Sequence, residues 1–145
     1  MTVKVGGSRH QYLSGSIRGK PILVANSGAI GVLSTTPIHA PPGGTTEAGN
    51  QQDYVYIEAH NNSATETVDL VLVTYPENSG ASARTSASIV HRLKPGETKI
   101  LLDNVNFQGD PTGNALGIEA HVIDSNHVDL VQIYGGFIRI DQSGQ

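Results

Sequence analysis

A period of two in the apolar residues of the second half is the sequence feature that most restricts the fold. In two stretches, 54–60 and 116–122, every second residue is apolar. Side chains alternate between the two faces of a β-strand, so each stretch predicts a strand with one face in a core. The residues predicted to form this core are Val55, Ile57, Leu70, Leu72, Leu101, Ile118, Ala120 and Val122.

Other strands are predicted from β-branched runs that end in turn residues. The run from Thr67 to Tyr75 is apolar on both faces in its middle, which is typical of a central strand. Strands are also predicted at 89–93, 98–102 and 127–140, the last interrupted at Gly135-Gly136, whereas 103–114 has the composition of a turn region. Because no segment shows the 3.6-residue period of a helix, the predicted fold is all-β, an antiparallel β-sandwich or jelly-roll-like fold.

The first 52 residues have a different composition. They are rich in Gly, Ser, Thr and Pro, their apolar residues come in short clusters, and 37–52 offers almost nothing to bury. We therefore predict an extended N-terminal arm with short strands at 1–52 and a β-sandwich domain at 53–145. The arm is expected to add edge strands to another chain. The predicted partner-binding residues are Ile22, Leu23, Val24, Ile30 and Val32 in the arm, and Tyr54, Tyr56 and His60 in the domain.

Charge and composition argue against several classes of partner. The formal net charge is -4, so there is no basic field to attract nucleic acid or anionic lipid. Cysteine is absent, which removes disulfides, thiolate nucleophiles and Cys-ligated zinc. No apolar run approaches the 18 or more residues of a membrane span, and 1–10 lacks the apolar core of a signal peptide. We expect neither a nucleic-acid partner nor a membrane partner, and no export by the usual route.

No motif in the sequence carries chemistry. The chain has no Gly-x-Ser-x-Gly elbow and no spaced pair of carboxylates, so we predict that it is not an enzyme. His121 and His127, with Glu119, leave a surface metal site open as an alternative, but interface packing is the favoured explanation of these histidines. Calcium is a second alternative, for the oxygen-rich loop from Asp103 to Asp110, where a turn explains the same residues better. The prediction is therefore no cofactor and no metal.

Three segments of the sequence resemble those of a known group of proteins. They are 55–73 (VYIEAHNNSATETVDLVLV), 93–102 (LKPGETKILL) and 128–138 (VDLVQIYGGFI). In this order they resemble small virion proteins of tailed bacteriophages, the group that includes capsid decoration or cement proteins and related tail components. The resemblance extends from Tyr54 to Ile140, more than half of the chain, and brings no catalytic residue with it.

The resemblance implies a structural function in a phage head. The expected function is that of a capsid cement or decoration protein, which stabilises the head by binding the major capsid protein. It further implies a homo-oligomer, a trimer, that is assembled in the host cytoplasm and located in the virion. The alternative is a tail or fibre module that binds a host-surface glycan. A glycan-binding module is expected to show an exposed groove lined by aromatic residues, and a cement protein a broad contact surface.

Overall fold

The computed structural model describes residues 4–32, 35–74, 88–111 and 117–142, with the backbone alone at 4–10. These residues form nine strands and two short 3-10 helices, and there is no α-helix among them. The strands are β1 (Lys4–Tyr12), β2 (Ile22–Leu23), β3 (Thr36–His39), β4 (Gln51–Asn61), β5 (Val68–Thr74), β6 (Ser88–Leu93), β7 (Thr98–Gln108), β8 (Ile118–Val122) and β9 (Val131–Asp141). The 3-10 helices are Thr46–Asn50 and Ser125–His127.

The strands form two antiparallel sheets that enclose one main core. Sheet A has the order β1-β9-β4-β7, with β2 also paired to β9, and sheet B has the order β3-β8-β5-β6. A single cluster of buried apolar side chains takes members from both sheets. The predicted antiparallel β-sandwich is therefore confirmed.

The burial of individual strands follows their sequence patterns. Along β4 the odd-numbered residues from Asp53 to Asn61 are buried and the even-numbered ones are only partly buried. β5 is buried on both faces in its middle and is an interior strand of sheet B, as its β-branched run predicts. All the predicted core residues are buried except Leu101, which packs partly buried against the core. Leu116, which begins the second alternating stretch, lies outside the described residues.

Three details of the predicted strands are wrong. The strand predicted from residue 127 begins only at Val131, because Ser125–His127 form a 3-10 helix. β7 continues through Asp103 to Gln108, although the composition of this stretch predicts a turn region, and 112–114 of that region lie outside the described residues. The turn-forming residues mark bulges: the pairing of β7 with β4 shifts register twice, and Asn104 has a left-handed φ of 58°. β9 likewise runs through Gly135-Gly136 without interruption. Glycine is needed at 135 because β4 lies too close there for a side chain.

The predicted N-terminal arm is not confirmed. β1 and β2 pair with β9, and β3 pairs with β8, so the described part of 1–52 belongs to both sheets. The apolar clusters of this segment are short, and its strands β1 and β3 lie at the edges of their sheets. The clusters supply part of the core through Leu13, Ile22, Val24, Ile38 and Ala48.

This arrangement corrects part of the predicted partner-binding set. Ile22 and Val24 lie in the core of their own chain, with 8% and 0% of their surface exposed, and are not available to a partner. Leu23 and Ile30 remain about half exposed, at 45% and 46%, and Val32 is partly buried.

Ile38 tests whether the N-terminal segment is part of the core. This side chain on β3 is fully buried, so Ile38→Ala should lower the free energy of unfolding by about 2–5 kcal/mol through lost burial and a residual cavity. Urea denaturation measures the change. Leu23→Ala, at the half-exposed neighbouring cluster, is the matched control and should cost less than about 1 kcal/mol. Equal stability of the Ile38→Ala variant and the unmodified protein would favour the arm prediction instead.

Candidate functional site

The outer face of sheet A carries most of the aromatic residues of the chain, and we call it the tyrosine face. On β4 the outward residues are Tyr54, Tyr56, Glu58 and His60, which alternate with buried core residues. The residues of β9 that pair with them are Ile138, Gly136, Tyr134 and Gln132. Tyr12, the last residue of β1, pairs with Gly136 from the other side. Four of the five tyrosines in the sequence therefore belong to this face.

Two tyrosines of this face flank Gly136. Tyr12 on β1 and Tyr56 on β4 are both register partners of Gly136, so the three residues lie in a row across β1, β9 and β4. Directly opposed residues point to the same face of a sheet. Gly136 itself is buried.

Gly135 and the β7 bulge shape a depression beside Tyr56. A Cβ atom at Gly135 would lie 2.0 Å from the backbone oxygen of Tyr56, so only glycine allows β9 to approach β4 this closely. Across β4, the bulge at Asn104 places Asp103 and Asn104 beside Tyr56. Together Tyr56, Gly135, Gly136, Asp103 and Asn104 line a depression of about 460 Å³.

Two further depressions adjoin this one. Asn104 also lines a depression of about 260 Å³ with Tyr54, Ile138 and Ile140. Gly135 also lines a depression of about 160 Å³ with Tyr12, Lys20 and Tyr134 among others. Each of these two depressions therefore shares one residue with the first, and each has at least one tyrosine in its lining.

Hydrogen bonds hold three tyrosines of the face along their strands. Tyr56 donates its hydroxyl to Glu58 at 3.0 Å, Tyr134 donates to Gln132 at 2.5 Å, and Tyr54 donates to Gln52 at 3.4 Å. Each acceptor is two residues away on the same face of the same strand, so the rings lie along the sheet. The hydrogen bond to Glu58 also raises the pKa of Tyr56, with smaller contributions from desolvation and from the charges of Glu58 and Asp103.

A second polar cluster is buried between the sheets. Asp53 on β4 accepts a hydrogen bond from His39 on β3 at 2.8 Å and two from Arg139 on β9, at 2.8 and 3.0 Å. The His39 Nδ1 accepts from the Ser14 N–H at 3.1 Å, so the Nε2 atom carries the proton that is donated to Asp53. The Phe137 ring packs against His39 at 4.3 Å between centroids, and its centroid lies 5.1 Å from the Arg139 guanidinium carbon.

This buried cluster is not arranged for catalysis. The side chains of His39 and Asp53 are fully inaccessible, so no substrate reaches them. Ser14 contacts the His39 ring through its backbone N–H, and its hydroxyl oxygen accepts from the Ala40 N–H instead. A nucleophile-base pair needs the hydroxyl on the histidine. The cluster joins β3 of sheet B to β4 and β9 of sheet A.

The partners of Asp53 decide its ionisation. Burial by itself would raise the pKa of this carboxyl, but the hydrogen bonds from His39 and Arg139 outweigh burial and hold the pKa below its usual range. Charge-assisted, bidentate contacts of this kind are among the stronger hydrogen bonds in proteins.

The two histidines that left a metal site open lie in different elements, His121 on β8 and His127 in the second 3-10 helix. His121 is fully buried on β8, its Nδ1 contacts the Val122 carbonyl, and its Nε2 has no hydrogen-bond partner in the described part of the chain. His127 lies 3.5 Å from Glu66 and 3.8 Å from Asp124. Within the described ranges there is no group of three or more metal-ligating side chains.

The structure brings some predicted site residues together and separates others. Tyr54, Tyr56 and His60 share the tyrosine face, with His60 hydrogen-bonded to Thr98 at 2.8 Å. Leu23 and Ile30 are not on β4 or its outer face. Sequence reasoning missed Tyr12 and Tyr134 in this face. The alternation along the last strand was a signal for Tyr134. The position of Tyr12 depends instead on pairing between the two ends of the chain.

The comparisons with known proteins give no relative. No protein family model, no curated protein and no solved structure matches this chain. Among the described residues, no helix has the length and apolar character needed to cross a membrane. The functional argument therefore depends on the geometry of the chain itself.

Asp53→Asn should destabilise the protein by about 3–5 kcal/mol, because it removes the buried carboxylate charge that pairs with Arg139 and His39. The pH dependence should change as well. Since the folded pKa lies below the unfolded value of 3.8, the contribution of Asp53 is complete above pH 3.8 and is lost as the pH falls through the folded pKa. In urea denaturation across this pH range, the free energy of unfolding should therefore fall less steeply with decreasing pH for the variant than for the unmodified protein.

Asp69→Asn is the matched control for this experiment. Asp69 also pairs with an arginine, Arg92, at 2.9 Å, but both side chains are partly or largely exposed. Exposed pairs contribute about 0–1 kcal/mol. If both variants lost the same stability, the buried cluster would not have the structural importance that its geometry indicates.

Chelation should leave folding unchanged, because the stability of the described core comes from apolar burial and the Asp53 cluster. We expect the same melting temperature by circular dichroism with and without EDTA. A fall of many degrees would indicate a metal site, with His121, His127 and the 103–110 stretch as the first positions to substitute.

Proposed function

We propose that this protein is a structural protein of a tailed-phage virion, a capsid cement or decoration protein that binds the major capsid protein. The observation that carries the proposal is the strand order of the sandwich. Both sheets interleave early and late strands, β1-β9-β4-β7 in one and β3-β8-β5-β6 in the other. We infer that this is the order of a jelly roll, with β2 as an addition. The jelly roll is the fold of many viral capsid and lectin domains. The strand order therefore supports the proposed function by analogy of fold.

Apolar side chains exposed beside the edge strands support a function in protein binding. β6 and β7 are edge strands of sheets B and A and contact each other at one side of the sandwich. Ile89 and Ile100 are 57% and 54% exposed there, and Val90 and Val105 are also exposed. Apolar groups beside an open strand edge are characteristic of sites where another chain adds a strand.

A cleft between these edge strands adds an apolar surface. It has a volume of about 450 Å³ and is lined by Leu72, Ile89, His91, Leu102, Val105 and Phe107 among others. Burial, with a smaller effect of Lys99, lowers the pKa of His91 below 6.5, so this side chain is neutral at pH 7. An apolar and uncharged cleft fits an apolar segment of a protein partner.

Of the two edges, β6 is the better acceptor for a coat segment. β6 pairs with β5 without a register shift, so its other edge is straight. β7 has two register shifts opposite β4, and bulges of this kind discourage edge-to-edge pairing. The proposed contact is an extended segment of the coat subunit that pairs with β6 and places apolar side chains against Ile89 and the cleft.

Ile89→Lys should weaken binding to the coat. A charge at this apolar contact should weaken cosedimentation with capsid shells, taken from the phage whose genome encodes the chain, by about tenfold or more. Ile123→Lys, at another exposed apolar residue, is the control and should cosediment normally. Melting by circular dichroism should show that both variants are folded.

Two other results bear on the same proposal. The proposed oligomer is a trimer, and its mass is measured by sedimentation velocity on the unmodified protein. If the unmodified protein does not bind the shells, or if the Ile89→Lys variant binds them normally, the cement function at β6 is wrong.

A further inference from the structure

The charged residues of the chain are divided unevenly along the sequence. Residues 1–46 contain four Lys or Arg residues and no Asp or Glu, whereas 47–145 contains the other five Lys and Arg and all 13 Asp and Glu. Two of the early cations, Arg18 and Lys20, are exposed in the loop between β1 and β2, and we call residues 17–20 of this loop the basic tip. Neither cation forms an ion pair with another described residue. The basic tip therefore presents unpaired positive charge on a chain whose remaining sequence is acidic.

The backbone of the basic tip is held in a tight turn. The Lys20 N–H donates to the Ile17 carbonyl at 3.0 Å, and Arg18 and Gly19 between them have left-handed φ values of 54° and 78°. Two successive positive φ values are the pattern of a type I′ turn, in which an arginine is uncommon. The Ser16 hydroxyl closes the turn by donating to the Lys20 carbonyl at 2.7 Å. A loop that is already ordered loses less entropy when a partner binds.

Exposed apolar side chains accompany the charges of the basic tip. Ile17 is 74% exposed, more than any other large apolar residue that the structure describes. Tyr12 is 66% exposed, and its ring lies against Gly19 of the tip. Tyrosine and arginine are enriched among the few residues that dominate the binding energy of protein interfaces. The composition of the tip is therefore that of a contact with another protein surface.

The depression beside Tyr56 is complementary to the basic tip in charge and shape. It has a volume of about 460 Å³, Asp103 lies in its lining with Tyr56, and none of the described residues that line it is basic. Glu58 accepts the hydrogen bond of the Tyr56 hydroxyl at 3.0 Å and adds a second carboxylate beside the ring. An arginine suits such a place, because its guanidinium group pairs with carboxylates and stacks on aromatic rings.

The two complementary surfaces do not meet within one chain. The basic tip follows β1, an edge strand of sheet A, whereas Asp103 belongs to β7 at the opposite edge. Two strands lie between β1 and β7, so these strands are roughly 14 Å apart. Each copy thus offers one basic tip and one acidic depression, and a second copy supplies the partner that each of them lacks.

We propose that copies of this chain bind one another through the basic tip of one copy and the depression beside Tyr56 of the next, with Arg18 against Asp103 and Tyr56. This inference rests on the oligomer of the proposed function and identifies its contact. In the proposed trimer every copy supplies one tip and one depression, so three equal contacts close a ring. The contact uses sheet A and leaves β6 of sheet B to the coat.

Charge reversal tests the contact in the full-length protein. The mass is measured by sedimentation velocity at about 100 μM. Arg18→Glu and Asp103→Arg should each weaken the oligomer by about tenfold or more, because each places like charges against one another. The double variant Arg18→Glu/Asp103→Arg should restore the oligomer, since the two charges are exchanged. About 1 M NaCl should weaken the oligomer of the unmodified protein by screening the contact.

Lys94→Glu is the matched control for Arg18→Glu. Lys94 is an exposed cation in the turn between β6 and β7, and its substitution changes the net charge by the same amount. This variant should keep the oligomer. Lys94→Glu/Asp103→Arg has the same net charge as the rescuing double variant and should not restore it. Melting by circular dichroism should show that all the variants are folded.

The outcomes separate this proposal from the coat contact. Ile89→Lys, on sheet B, should still form the oligomer, so loss of shell binding alone would overturn the coat contact and leave this one. A monomeric unmodified protein, an intact oligomer in the Arg18→Glu variant, or a double variant no better than the single ones would overturn the contact between copies. A dimer that follows the same charge pattern would keep the contact and correct the number of copies.

Discussion

The arrangement of the two sheets depends on a buried carboxylate whose partners come from both of them. Asp53 of sheet A receives hydrogen bonds from His39 of sheet B and from Arg139 of its own sheet. An inaccessible charge is costly unless such partners are present, so the sheets must pack where His39 reaches Asp53. Apolar packing alone tolerates small shifts and repacking, whereas hydrogen bonds to one carboxylate do not. The cluster thereby fixes β3 of sheet B relative to β4 and β9 of sheet A.

The same register links the buried cluster to the tyrosine face. β4 and β9 pair without a shift from Gln51 opposite Asp141 to Asn61 opposite Val131. In this register Asp53 meets Arg139 on the inner face, and Tyr56 meets Gly136 on the outer face. A slip of one residue would turn every side chain to the other face, which would bury Tyr56 and expose Asp53. The requirement to pair Asp53 inside therefore also places the tyrosines outside.

Local patterns in the sequence predict the sheets but not the site. The alternation around Val55 and Ile57 predicts β4, its buried face and the shared outward face of Tyr54 and Tyr56. Such alternation reports burial along one strand and carries no information about which strands are neighbours. The position of Tyr12 depends on its pairing with Gly136, and the buried cluster needs Asp53 beside a residue 86 positions away. Both are products of long-range pairing, and the polar composition of 37–52 conceals that His39 is a buried partner.

The bulges of β7 make the two neighbouring edge strands of the sandwich different. The pairing of β7 with β4 shifts register twice, whereas β6 pairs with β5 without a shift. Bulges of this kind discourage edge-to-edge pairing, so in the proposed coat contact β6 is the strand that accepts a partner. The bulge at Asn104 also places Asp103 and Asn104 beside Tyr56, in one depression of the tyrosine face. The turn-like composition of 103–110 is thus the sequence signal of an irregular strand rather than of a loop.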